Sequence, residues 1–156
     1  MSFAKLMQRF KGGVMREAPS GGPHDPMRLA TAAVLLDIGY ADGTLTPDES
    51  TDLVTYLKRA FALDDEDAGD LVNAALEIRN RTIDHFAMTN FIRKNATLEE
   101  RVEMVRTMWR MVYSDGKLTD YESYLVRKLA DLLGLEHHVM IEAKVAVLRE
   151  MGLATP

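Results

Sequence analysis

Residues 40–50 read Tyr40-Ala41-Asp42-Gly43-Thr44-Leu45-Thr46-Pro47-Asp48-Glu49-Ser50, and residues 113–123 read Tyr113-Ser114-Asp115-Gly116-Lys117-Leu118-Thr119-Asp120-Tyr121-Glu122-Ser123. The two stretches are identical at seven of their eleven positions. Each has the chemistry of a helix end, a tight turn and a helix start. Asp-Gly stops a helix and turns the chain, because Asp bonds its own backbone and Gly accepts positive φ. Thr-x-x-Glu is a capping box, in which the Thr hydroxyl accepts from the N–H three residues on and the Glu carboxylate accepts from the Thr N–H. In the first copy Pro47 also occupies the first helical position, where no N–H is needed.

Outward from the two motifs the pattern stays helical. Asp25-Pro26 opens a helix that reaches about Tyr40 and is apolar almost all round, as an interior helix must be. After Thr46, the residues Leu53, Val54, Leu57, Ala60 and Phe61 form one apolar stripe. Residues 64–81, with Asp at their start, read as a further helix, and residues 83–94 as the next. Thr97-Leu98-Glu99-Glu100 is another capping box, and its helix ends near Tyr113. After Thr119, the residues Leu125, Val126, Leu129, Leu132 and Leu133 lead to Gly134, a helix-stopping C′ glycine. Residues 136–150 make the last helix. No segment alternates with period two, so no sheet is predicted. The expectation is an all-α, single-domain bundle of about seven to eight helices, with two pseudo-symmetric halves of helix, Asp-Gly turn and helix. One such hairpin cannot bury its own apolar face, whereas two packed together can.

Composition bounds the rest. The chain has 156 residues, 47% of them apolar and 28% charged. That is ordinary globular material, long enough to bury a core without staples. It has no cysteine, which excludes a disulfide framework and a thiolate metal site and fits a cytoplasmic location. A net charge of −5 speaks against a dedicated nucleic-acid binder. The longest apolar stretch, residues 29–41, is interrupted by Thr31, Asp37 and Gly39 and falls short of the ~20 residues a membrane span needs. The N-terminus lacks the apolar run of a secretory signal.

The twice-occurring Asp-Gly-x-Leu-Thr-x-x-Glu, each copy following an apolar helix, resembles the tellurite-resistance protein TerB family, and also the N-terminal region of the DjlA co-chaperones. The likeness covers about residues 27–148. It implies an all-helical fold, a link to tellurite resistance, stress response and membrane-associated complexes, no established enzymatic activity, and acidic surfaces suited to metal. The J-domain signature His-Pro-Asp is absent, and His24-Asp25-Pro26 has a different order, so recruitment of Hsp70 is not expected.

The same motif looks like the second half of an EF-hand loop, with Asp42 at its fifth position and Glu49 at its twelfth. The first and third positions would then be Ile38 and Tyr40, or Met111 and Tyr113, and none offers a carboxylate. Calcium needs six to eight oxygens, so neither half is a working EF-hand. A shared site remains open. If the turns meet, Asp42, Glu49, Asp115 and Glu122 could together hold Ca²⁺, Mg²⁺ or Mn²⁺. Against this, capping and turn chemistry already account for all four residues. Asp37, a carboxylate inside an apolar helix, either meets its repeat equivalent Arg110 or lies on an exposed edge. His137 and His138 are adjacent and diverge by ~100° on a helix, and surface roles are expected of them. The ten methionines read as core filler.

The domain proper is assigned to residues 25–153. Before it, residues 1–24 form a basic amphipathic segment and a linker. Phe3, Leu6, Met7, Phe10, Val14 and Met15 fall at helical spacing, with Lys5, Arg9, Lys11 and Arg16 between them. Gly12-Gly13 interrupts the pattern, and Ala18-Pro19-Ser20-Gly21-Gly22-Pro23 reads as a linker. Up to Ala18 the side chains carry +3, which leaves −8 for the remainder. Through Phe3, Lys5, Leu6, Arg9 and Phe10 the segment would touch an anionic membrane or a partner, or else pack on its own domain. The functional expectation is a non-catalytic interaction domain with a protein partner, able to self-associate. The alternatives are a metal-dependent enzyme using the same carboxylates and a membrane-surface adaptor.

Overall fold

A computed structural model describes residues 25–81, 85–114 and 118–153. It contains seven helices and no strand among the described residues: α1 (Pro26–Gly39), α2 (Pro47–Phe61), α3 (Asp65–Arg81), α4 (His85–Asn95), α5 (Leu98–Tyr113), α6 (Asp120–Leu132) and α7 (His137–Glu150). The expected all-α bundle is what forms, and the helix bounds lie within a few residues of the expected ones. The expectations for residues 1–24 fall outside the described residues.

Helix α1 starts where Asp25 accepts the Arg28 N–H (3.1 Å) and Pro26 takes the first helical position. Twelve of its fourteen residues are buried, all but Arg28 and Asp37. It runs through the middle of the bundle, packed most extensively on α3 and α4 and also touching α2, α5 and α6. A single apolar core joins Leu35, Leu36 and Ile38 of α1 with Leu53 and Leu57 of α2, Leu71 of α3, Phe91 of α4, Met108 and Trp109 of α5, Val126 and Leu129 of α6 and Val147 of α7. Truncating one such side chain to alanine typically costs ~2–5 kcal/mol.

The repeat extends further than the sequence motif. In the first half α2 begins at Pro47 and α3 at Asp65; in the second, α6 begins at Asp120 and α7 at His137. Each half is therefore three helices, with α3 laid along α1 as α7 is laid along α5. The second interval is shorter by one residue, and the difference arises where the second helix of each half ends. Ala62 (φ 53°) terminates α2, and Gly134 (φ 79°) does the same for α6 one position earlier in register. In both places a later N–H reaches back five residues, Leu63 to the Lys58 carbonyl and Leu135 to the Ala130 carbonyl. That is the closing bond of a Schellman motif. Helix α4 has no counterpart; it joins the halves and packs on α1 and α6.

Asp37 corrects one expectation. Its side chain is neither on an exposed edge (10% accessible) nor paired with Arg110. It accepts from Arg79 Nε of α3 at 3.0 Å, and the Arg79 guanidinium lies over the Tyr40 ring at 4.9 Å. Arg110 instead grips Glu150 of α7 with Nε–Oε2 at 2.7 Å and Nη2–Oε1 at 3.2 Å. Positions 37 and 110 are repeat equivalents, so each half ties its first helix to its third by an ion pair, with the charges reversed between halves.

Candidate metal site

All three expected capping boxes form. Thr46 N–H donates to Glu49 Oε1 and Glu49 N–H to Thr46 Oγ1, both at 3.1 Å. Thr119 N–H donates to Glu122 Oε1 at 3.1 Å, and Glu122 N–H to Thr119 Oγ1 at 3.0 Å. Thr97 and Glu100 repeat the pattern at 2.9 and 3.1 Å. Before α2, Asp42 accepts the Thr44 N–H (3.2 Å) and Gly43 takes φ +98°, which a side chain would resist. Gly39 has a different role: a Cβ there would collide with the Leu45 side chain. Glycine at this position lets Leu45 fold back over the end of α1.

Two of the capping glutamates differ in surroundings from Glu100, which lies on an exposed helix start. Glu49 and Glu122 are nearly buried, at 5% and 6% accessibility. The Glu49 carboxyl is held above the ordinary range, first by burial and then by the negative charges of Asp42 and Glu122, against the lowering effect of its bonds to Thr46. Thus the structure brings Asp42, Glu49 and Glu122 into one electrostatic neighbourhood. Asp115, the fourth expected ligand, lies outside the described residues, as do Phe3, Lys5, Leu6, Arg9 and Phe10. Among the described residues no group of three or more His, Asp or Glu side chains is assembled closely enough to hold a metal ion. His137 and His138 are exposed as expected, and His138 Nδ1 sits 3.3 Å from Glu136.

A concave feature lies apart from the two motifs. Where α2 crosses α5, a cavity of about 340 Å³ is lined by Met27, Tyr56, Phe61, Ala96 and Met104, with Glu99, Glu100 and Glu103 on its acidic side. A polar cleft of about 260 Å³, containing Asp52, Thr107 and Glu150, shares Tyr56, Arg59 and Arg110 with it. Burial, then Glu103 and Glu100, holds the Tyr56 phenol well above its usual range. Burial also raises Asp52, although Arg110 opposes the shift. The signal for this feature was present as Asp52, Tyr56 and Arg59 at helical spacing beside the apolar stripe of α2. What they face is supplied by α5, far along the chain.

Fold and turns together define an all-helical domain of two fused three-helix halves, each with its second helix opened by an acidic capping box. The family model described as tellurite resistance protein TerB matches residues 28–145, most of the chain and both motifs, so the chain belongs to the TerB family. No curated protein and no solved structure matches it. No helix among the described residues is long and apolar enough to cross a membrane.

Proposed function

We propose that this TerB-family chain is a non-catalytic, cytoplasmic binding domain that takes a divalent cation (Ca²⁺, Mg²⁺ or Mn²⁺) between its two acidic turns and acts through a protein partner in tellurite resistance or stress response. The observation that supports the metal reading is that the buried Glu49 feels the negative charges of Asp42 and Glu122. Glu49 and Glu122 come from different halves of the chain, are nearly buried, and are close enough for like charge to be felt. A buried carboxylate that feels neighbouring negative charge is disfavoured unless a cation or a proton neutralises it. Each cap engages only Oε1, so the second oxygen of each carboxylate is not used by the cap. Asp115 joins this set through the repeat alone. The non-catalytic reading rests on the turns themselves, whose acids have capping and turn-forming roles and bring no separate base or nucleophile of the kind metal-assisted hydrolysis wants.

Thermal unfolding of the full chain in EDTA and in millimolar Ca²⁺, Mg²⁺ or Mn²⁺ tests this. A cation at ten times its Kd adds ~1.4 kcal/mol, or roughly 3–6 °C in a domain of this size. Glu49→Gln with Glu122→Gln, Asp42→Asn and Asp115→Asn keeps the acceptors of the caps and turns while weakening the ligands. That variant is expected to fold and to lose the gain. Absence of any cation-dependent shift in the unsubstituted chain, together with no heat in titration calorimetry, would make the carboxylates structural.

A further inference from the structure

We propose that the cavity between α2 and α5 is the docking site of the chain's own basic segment, residues 2–16. Three observations converge on this occupant. The first is connectivity. Met27, in the first turn of α1, lines the cavity, so the described body begins beside it. The linker at residues 18–23 contains two prolines and two glycines. Six residues can reach roughly 20 Å when extended, enough to turn the chain back across the opening.

The second observation is shape and polarity. The cavity offers an apolar floor of Tyr56, Phe61 and Met104, with Glu99, Glu100 and Glu103 along it against Arg59 and Arg110, and Glu103 already bonds Arg106. The segment offers Phe3, Leu6, Met7 and Phe10 at i, i+3, i+4 and i+7, flanked by Lys5, Arg9 and Lys11. This is the pattern of a helix laid into a groove, with large anchors inward and cations on the rim. The third is charge. The segment up to Ala18 carries +3 and the remainder of the chain −8, so attraction acts over the whole approach and not only at the rim. Tethering supplies an effective concentration in the millimolar range, so a contact too weak to hold a free peptide still holds the segment.

The chain has no cysteine, so a single nitroxide can be placed at Ser2→Cys in the full chain without background labelling. Paramagnetic broadening of backbone amides is then read by NMR. The expected result is broadening several-fold stronger around residues 56–61 and 96–104 than over α3 and α6. It should be lost in Phe3→Glu with Leu6→Glu and Phe10→Glu, a variant with no substitution in residues 25–153. It should weaken in Glu99→Lys with Glu103→Lys, whose retained fold is checked by the same spectrum. Uniform or absent broadening overturns the proposal, as does broadening centred elsewhere. A mixture of labelled chain with isotope-enriched, unlabelled chain separates intramolecular docking from exchange between copies. Broadening in the mixture overturns docking within one chain. Absence of cavity broadening together with co-sedimentation of the chain on phosphatidylglycerol vesicles also overturns it, in favour of a membrane surface.

Discussion

Glu49 accepts the Thr46 N–H through Oε1 and at the same time lies near Asp42 and Glu122, so one side chain meets two demands of opposite sign. The cap favours its ionised form, whereas burial and the two neighbours disfavour it, and the second set prevails. The native state therefore keeps the Glu49 proton to higher pH than the unfolded chain does. Where the native state binds more protons, stability falls as pH rises. The loss begins near the unfolded value of 4.5 and is complete above the raised native one. Gln at this position keeps an acceptor for the cap but carries no charge. In EDTA, Glu49→Gln is expected to be at least as stable as the unsubstituted chain at pH 7, with the difference shrinking toward pH 4. Urea denaturation midpoints across that range check it. A variant that is less stable at pH 7 and equal at pH 4 would mean that the helix-start dipole outweighs the repulsion. Bound cation should reverse the order at pH 7, because it favours the carboxylate.

Between helices, the two halves solve one problem with opposite charges. Helix α1 is tied to α3 by Asp37 and Arg79, and α5 to α7 by Arg110 and Glu150. Geometry alone would make the second pair the stronger, since it is bidentate. Burial argues the other way. The Asp37 side chain is 10% accessible and that of Glu150 is 54% accessible. Exposed ion pairs are worth only ~0–1 kcal/mol. Arg79→Met keeps an aliphatic stem but removes the guanidinium from both Asp37 and the Tyr40 ring. It is expected to cost about 1.5–3 kcal/mol, the range for a hydrogen bond to a charged group. Glu150→Gln should cost less than ~1 kcal/mol. Chemical denaturation of the two variants compares them directly, and equal costs would show that burial is not what sets the difference.

Across the domain as a whole, α1 is what makes one body of two halves. It touches both helices of its own half, the bridging α4, and α5 and α6 of the other half. Twelve of its fourteen residues are buried, so it has no independent existence in water. Unfolding should therefore be one cooperative event. The single tryptophan, Trp109, is fully buried on α5 and reports on its own surroundings, whereas far-UV circular dichroism reports on all helices. The two transitions are expected to coincide in urea. A tryptophan transition separated from the dichroism one would show that the halves unfold separately.

What could be read from the residues in order was what short-range chemistry dictates. The helix starts at Thr46, Thr97 and Thr119, the stop at Gly134 and the interior character of α1 were all legible, because caps, turns and hydrophobic periodicity act within one or two helical turns. The duplication was legible because its motif is a run of such local devices. The third helix of each half was not seen as part of the repeat, because α3 and α7 share spacing without sharing residues: Ala68, Leu71 and Ala75 stand where Met140, Ala143 and Val147 stand, and only burial equates them. Long-range packing settled that Asp37 pairs with Arg79 and not with Arg110, and that Glu49 feels the charge of Glu122. Packing also made a cavity from residues of α2 and α5. Those are contacts between segments brought together by burial of the shared core, and nothing within a few residues of any of them specifies which partner it will meet.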